Sequence, residues 1–295
     1  MIVSASRRTD IPRFYFTWFM NRVREGYVDV ASPFDSRKIR RVELLPDLIE
    51  AMVFWTRDPR PALPFLGELS DRGFRYYFMT TVTGYPRSLE AGAPEMTGIL
   101  EGLEELARFI GPDRSIWRYD PVYLSPMTGA SWHRNNFARL AEAMEGKTRR
   151  VVLSLYEGYM KTERRLVRLE GEGLAPEGVR GADGLMLPGT RALMEDLAAT
   201  ARSRGIDART CAETDGSTGL PPNACVDAEL IGRLWDVEVD SRKDPNQRRA
   251  CRCAPSVDIG AYDTCPAACA YCYAVGSLER AATRYASHDA SSVRL

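Results

Sequence analysis

Histidine is nearly absent from this sequence: His133 and His288 are the only two in 295 residues. That scarcity excludes most histidine-rich metal sites and argues against a Ser-His-Asp triad. His133 sits in the amphipathic stretch "SWHRNNFARLAEAME", where a helix-surface or hydrogen-bonded core histidine is the expected role, and His288 sits in a polar tail. Net charge is lacking too. Forty Lys and Arg balance forty Asp and Glu, so the chain as a whole offers no electrostatic footprint for nucleic acid or an acidic membrane. No apolar run of about 18 residues occurs, and "MIVSASRRTD" has no apolar signal core, so a cytoplasmic location without a membrane partner is expected. Cysteine is missing from the first 210 residues, and all seven fall after them. An odd count in a cytosolic chain argues against a disulfide framework and for metal or redox chemistry.

What is present is a repeating alternation. Short β-prone runs occur at "MIVSAS", "AMVFWT", "RYYFMTTV", "SIWRYD", "RRVVLSLY" and "IDART", with amphipathic patterns between most of them. The clearest helix carries Met96, Ile99, Leu100, Leu103, Leu106, Ala107 and Ile110 at helical spacing, after Ala93-Pro94-Glu95 and before Gly111-Pro112. A second runs through Trp132, Phe137, Leu140, Ala141 and Met144, and a third through Leu193, Met194, Leu197, Ala198 and Ala201 to a stop near Gly205. Strand and helix repeated about six times imply right-handed βαβ units and a parallel sheet. No glycine-rich loop follows the first strand, where "SASRRTDIPRF" stands, which favours an α/β fold of the partial (β/α)6 TIM-like barrel type over an open nucleotide-binding sheet. Residues 170–189 are rich in glycine and read either as a long loop or lid or as an insert without a role. The last stretch reads as a short helix and a frayed tail.

The strand ends share a second pattern. Each apolar run passes into polar residues and then, in most cases, a turn: "RRTDIP", "WTRDP", "TTVTGYP", "RYDP", "YEGY" and "CAETDG". In parallel α/β folds these ends form the ligand face, so Arg8, Asp10, Thr56, Arg57, Thr81, Arg118, Asp120, Glu157 and Glu213 are expected to converge. Any one of them is equally well explained as a cap, turn or ion pair. It is the recurrence that points to a site, with Arg118, Asp120 and Glu213 as the candidate catalytic residues.

The cysteines divide by spacing. Cys265, Cys269 and Cys272 follow C-x3-C-x2-C in "YDTCPAACAYCYA", and Cys211, Cys225, Cys251 and Cys253 form a looser group. Core cysteines would scatter, whereas this clustering argues for metal ligation, to iron-sulfur or zinc, both of which take soft thiolate ligands. Three thiolates can hold a 4Fe-4S cluster at three irons and leave the fourth open, while four can fully ligate an auxiliary 4Fe-4S cluster or a zinc ion. Cys251-x-Cys253 departs from the Cys-x2-Cys pairs of zinc ribbons, which favours the cluster.

The run from Cys265 to Cys272, with Tyr271 before the last cysteine, resembles the cluster signature of the radical S-adenosylmethionine superfamily. The phrases "SASRRTDIP", "VFWTRDP", "WRYDPV" and "KDPNQRRACRCAPSVDIGAYDTCPAACAYCYA" resemble a bacterial family of unknown function that carries this signature at its C-terminus. The resemblance implies a 4Fe-4S cluster whose open iron chelates S-adenosylmethionine, reductive cleavage of that cofactor, and radical chemistry on a substrate. Members of the superfamily usually carry the three cysteines after the first barrel strand, where this chain has "RRTDIPRFYF". The resemblance therefore implies a barrel over residues 1–210 and a cysteine-rich segment over 211–295 that folds back across the barrel mouth.

Further roles follow from that expectation. Thr56, Arg57, Arg118 and Asp120 are candidates to meet cofactor or substrate, Asp120 and Glu213 suit an ammonium group, and Arg8 and Arg118 suit a carboxylate. Tyr271 and Tyr273 would shield the cluster or stack on adenine, or else pack a tight loop. In "DSRKDPNQRRACRC", Lys243, Asn246, Gln247 and Arg248 are candidate donors to cluster sulfurs or substrate, with a solvated loop as the plainer account. The expected electron donor is a flavodoxin or ferredoxin, and the substrate is a small molecule or a nucleic acid. Two other classes stay open: a non-catalytic iron-sulfur carrier or sensor, and a barrel hydrolase or isomerase stiffened by structural zinc, with Asp120, Glu157 and Glu213 as acid and base.

Overall fold

A computed structural model describes every residue except 34, 36, 157 and 214–217; the candidate Glu157 lies outside the described residues. The six expected strands form as β1 (Ile2–Ala5), β4 (Ala51–Thr56), β5 (Tyr76–Thr81), β6 (Ser115–Val122), β7 (Arg150–Leu155) and β8 (Asp207–Cys211). The sheet is larger than the six-strand expectation. The short strands β9 (Pro222–Asn223) and β10 (Ser256–Asp258) extend its two edges, giving eight parallel strands in the order β10-β1-β4-β5-β6-β7-β8-β9, curled into a half-barrel. A second departure is the antiparallel hairpin β2 (Tyr27–Ala31) and β3 (Ile39–Glu43); β2 is half-buried and β3 mostly exposed and charged, so neither shows a clear apolar run to a periodicity reading.

The helices are α1 (Ile11–Phe14), α2 (Phe16–Glu25), α3 (Leu66–Asp71), α4 (Met96–Ile110), α5 (Ala130–Met144), α6 (Met160–Leu166), α7 (Pro188–Ser203), α8 (Ala228–Trp235) and α9 (Leu278–Ala286). Strand alternation then sorts the side chains onto two faces. Val3, Met52, Phe54, Phe78, Trp117, Tyr119, Val151 and Leu153 face the helices and share one core with Phe19, Leu103, Leu106, Phe137, Leu140 and Leu197. The alternate residues Ile2, Val53, Trp55, Tyr77, Met79, Ile116 and Val152 form an inner core with Leu230 and Ile231 of α8 and with Cys225, Cys251 and Cys253. The cysteine-rich segment thus covers the inner face of the sheet as well as its mouth. Tyr77 anchors it from β5: its hydroxyl donates to the Cys225 carbonyl (2.7 Å) and accepts from the Asp227 amide (3.1 Å). The 210/211 boundary falls inside β8, and β10 pairs with β1, so one sheet runs through both parts of the chain.

The glycine-rich stretch is the expected long loop, largely exposed but anchored: Leu174 is fully buried, its carbonyl accepts from the Tyr123 hydroxyl, and the Glu177 amide donates to Leu124. The tail beyond α9 is tied down, because Trp18, Asn21 and Arg22 of α2 donate to the carbonyls of Ser292, Ala290 and Ser291. Among the described residues no helix is long and apolar enough to cross a membrane.

Candidate functional site

The C-terminal strand ends enclose a cavity of about 470 Å3 whose lining includes all seven cysteines. None of them forms a disulfide. Arg8, Asp10, Thr56, Arg57, Thr81, Arg118 and Asp120 line it as well, as do Tyr271, Tyr273, Gln247 and Arg248. Most of the strand-end set is therefore gathered in one place, as parallel strands require.

The three-thiol loop is clamped over the mouth from several sides. The Ala270 amide donates to Leu89 (2.8 Å), the Gly92 amide to Ala267 (3.1 Å), and the Tyr15 hydroxyl to Thr264 (2.5 Å). A Cβ on Gly92 would stand 2.5 Å from the Ala267 carbonyl oxygen, so only glycine permits this approach. Arg57 and Glu90 pair at 2.9 Å, and the Tyr271 hydroxyl hydrogen-bonds to both. Tyr271 is fastened here by its hydroxyl while its ring packs near Tyr85 and Tyr123. Asp10 caps α1 through the Arg13 amide and accepts from the Arg57 amide, and burial pushes its carboxyl up to about 6 against those donors. Burial likewise raises the Cys265 and Cys272 thiols and pushes Cys269 up to about 12. Thiols so placed are neutral until a metal displaces their protons.

The other four thiols touch one another. Cys225 donates to Cys211 at 3.5 Å, and hydrogen bonds with Cys225 and Cys251 hold Cys253 low, with the Arg7 guanidinium adding to the effect. Cys225 and Cys251 are raised. The Val226 amide also donates to Cys253 (3.3 Å), and the Asn223 amide group to Cys225 (3.4 Å). Among the described residues no three His, Cys, Asp or Glu groups are spaced to hold a single metal ion.

Several candidates stand apart from the cavity. Glu213 is buried away from its lining, accepting from the Leu155 amide (3.2 Å) and pairing with Arg180 of the glycine-rich stretch (2.5 Å), so its position supports an architectural role. Lys243 donates to the carbonyls of Asp244 and Gln247, and Asn246 to the Asp244 carboxylate, which closes a turn and leaves both off the lining. Tyr273, by contrast, does line the cavity, with 40% of its surface exposed and its hydroxyl donating to the Arg7 carbonyl. His133 is fully buried between the Tyr119 hydroxyl and the Tyr123 carbonyl, away from the lining.

Other residues of the site carry little sequence signal. Arg7 lines the cavity beside Arg8, and the Arg-Arg pair after β1 was the available cue. Trp55 reads as one more apolar strand residue, yet it lies under two guanidiniums, Arg7 at 5.3 Å and Arg118 at 4.8 Å from its ring centre. Asp258 ends β10 and accepts from Ser4, Ser6 and the Arg7 amide, which fixes the loop after β1 against the C-terminal segment.

No curated protein matches the chain. Among solved structures, a deoxyribose phosphate aldolase from Aeropyrum pernix aligns at 10% identity over 77% of this chain and 98% of its own, with a TM-score of 0.26, an overlap that transfers neither fold nor function. The family described as "Domain of unknown function (DUF1848)" matches residues 2–274, a span that takes in the whole sheet and both thiol groups, and the chain belongs to that family.

Proposed function

We propose that this protein is a radical S-adenosylmethionine enzyme built on a partial (β/α)6 TIM-like barrel. The observation that carries the reading is the gathering of all seven free thiols, as a set of three and a set of four, around one cavity at the C-terminal strand ends. By residue type and number the donors suit the implied groups: Cys265, Cys269 and Cys272 would hold a 4Fe-4S cluster with one open iron, and Cys211, Cys225, Cys251 and Cys253 an auxiliary one. When bound, the first cluster would supply one-electron reductive cleavage of S-adenosylmethionine, with a flavodoxin or ferredoxin as the electron donor.

The chain's own residues do the positioning. Arg57, Glu90 and Tyr271 fix the three-thiol loop, Arg7, Arg57 and Arg118 set positive charge beside thiolates, and the sheet with its covering segment limits access of water. Asp120, paired with Arg118, and Thr56 offer oxygen acceptors at the lining.

Anaerobic purification tests the reading. The expected protein is brown, with iron and acid-labile sulfide for two clusters, a reduced-cluster electron paramagnetic resonance signal that changes with S-adenosylmethionine, and 5′-deoxyadenosine as product. Iron without any response to S-adenosylmethionine would make it a carrier or sensor. A colourless zinc protein would point to the hydrolase or isomerase.

A further inference from the structure

We propose that Arg7 and Arg118, set against Trp55 on the four-thiol side of the cavity, bind an oxyanion of the substrate, which is therefore a small molecule bearing a carboxylate or phosphate. The proposal deepens the reading above by naming the class of its substrate. Arg7 Nη2 and Arg118 Nε are each buried without a hydrogen-bond partner. A buried guanidinium N–H left without an acceptor is costly, and an oxyanion satisfies two such donors at once. Both side chains line the cavity, and both lie near the face of the same indole, which restricts their motion and prepays part of the ordering cost of binding.

The surrounding charge agrees with this placement. The Arg7 guanidinium meets the Ser256 hydroxyl at 3.3 Å and, among the described residues, forms no ion pair; the nearby Asp258 carboxylate spends its bonds on Ser4, Ser6 and the Arg7 amide. Arg118 is paired with Asp120, so within this trio one positive charge is left uncompensated, and Arg8, Arg57 and Arg248 add to the positive charge of the lining against Asp10. The cofactor's own carboxylate is expected at the open iron beside Cys265, Cys269 and Cys272. Arg7 instead lies near Cys225 and Cys253, on the other group of thiols, so its unpartnered donor is not one that meets the cofactor's carboxylate. A volume of about 470 Å3, shared with whatever the thiols hold, suits a metabolite rather than a polymer.

The test uses the anaerobically reconstituted full chain, titrated calorimetrically with inorganic phosphate, malonate and S-adenosylmethionine in separate arms. One of the two anions is expected to bind the wild type without displacing S-adenosylmethionine. Arg7→Gln and Arg118→Gln should each weaken it at least about tenfold while iron content is retained, and Arg7→Lys should restore part of the loss. Three results overturn the proposal: unchanged anion affinity in both Gln variants, anions that compete with S-adenosylmethionine, or iron lost from the variants while anion affinity is kept, which would make the arginines partners of the thiolates. Anion binding that follows the two arginines in a protein that never forms 5′-deoxyadenosine keeps the subsite and removes the radical reading; 5′-deoxyadenosine formed by a protein that binds neither anion does the reverse.

Discussion

His133 is held so that only its neutral form fits. The Tyr123 carbonyl can only accept, so Nε2 carries the proton, and Nδ1 accepts from the Tyr119 hydroxyl at 2.7 Å. Burial lowers its pKa from 6.5 to about 4. Between those values the unfolded chain takes up a proton that the folded chain refuses, so stability falls as pH drops through the window, by up to about 3 kcal/mol. Urea unfolding of the wild type and of His133→Gln from pH 7 to pH 4.5 isolates this contribution, since carboxylate effects cancel in the difference. The wild-type advantage should shrink steadily with falling pH, and a constant advantage would show that His133 is not what titrates. The sequence placed His133 correctly in an amphipathic helix, but its partners Tyr119 and Tyr123 come from β6 and the residue after it, which no helical period discloses. Arg7 and Glu90 were hidden in the same way. A charged residue in a loop looks solvated until the fold brings Tyr271 and the thiols against it.

Among elements, the helices and strands with a strong period were the legible ones. α4, α5 and α7 form where Leu103, Phe137 and Leu197 recur at helical spacing, and the six strands are the apolar runs. β9 and β10 were illegible, since two or three residues with no apolar run owe their strand conformation to the neighbouring edge. The three-thiol loop is the element where local sequence and tertiary contact meet, and Gly92 tests it. An added Cβ meets backbone, which cannot swing aside, so Gly92→Ala should push the loop off residues 89–92 at a cost of about 1–3 kcal/mol. Melting temperature should fall, and, on the proposed function, iron at Cys265, Cys269 and Cys272 should be retained less well than iron at the other four thiols. Equal stability and equal retention would mean that the loop is not clamped at Gly92. Gly260→Ala is the companion measurement at the other end of the clamp, where a Cβ would stand 2.0 Å from the Ser6 hydroxyl oxygen that Asp258 holds.

At the scale of the molecule, the chain's last third completes what its first two thirds begin. β10 lies against β1 with Ser256 opposite Ile2, β9 lies against β8, and α8 with three of the cysteines fills the inner face that Trp55, Tyr77 and Met79 present. Without that cover the inner row of buried side chains would face water, and both edges of the sheet would lose their pairing. The division at residue 210 that cysteine distribution suggests therefore cuts through one continuous sheet. Full-length protein should unfold in one calorimetric transition with coincident circular dichroism and tryptophan fluorescence. A chain ending at residue 210 should give no native near-ultraviolet circular dichroism, and adding residues 211–295 as a separate chain should restore it in part, because the pairing surfaces of β1 and β8 remain. Two resolved transitions, or a truncated chain with native spectra, would make the cysteine-rich segment an independent lid. A single transition instead ties the order of the seven thiols to the integrity of the sheet. In that case Cys253→Ala, which removes the thiol hydrogen-bonded to Cys225 and Cys251, should lower the melting temperature of the whole chain and not of its C-terminal part alone.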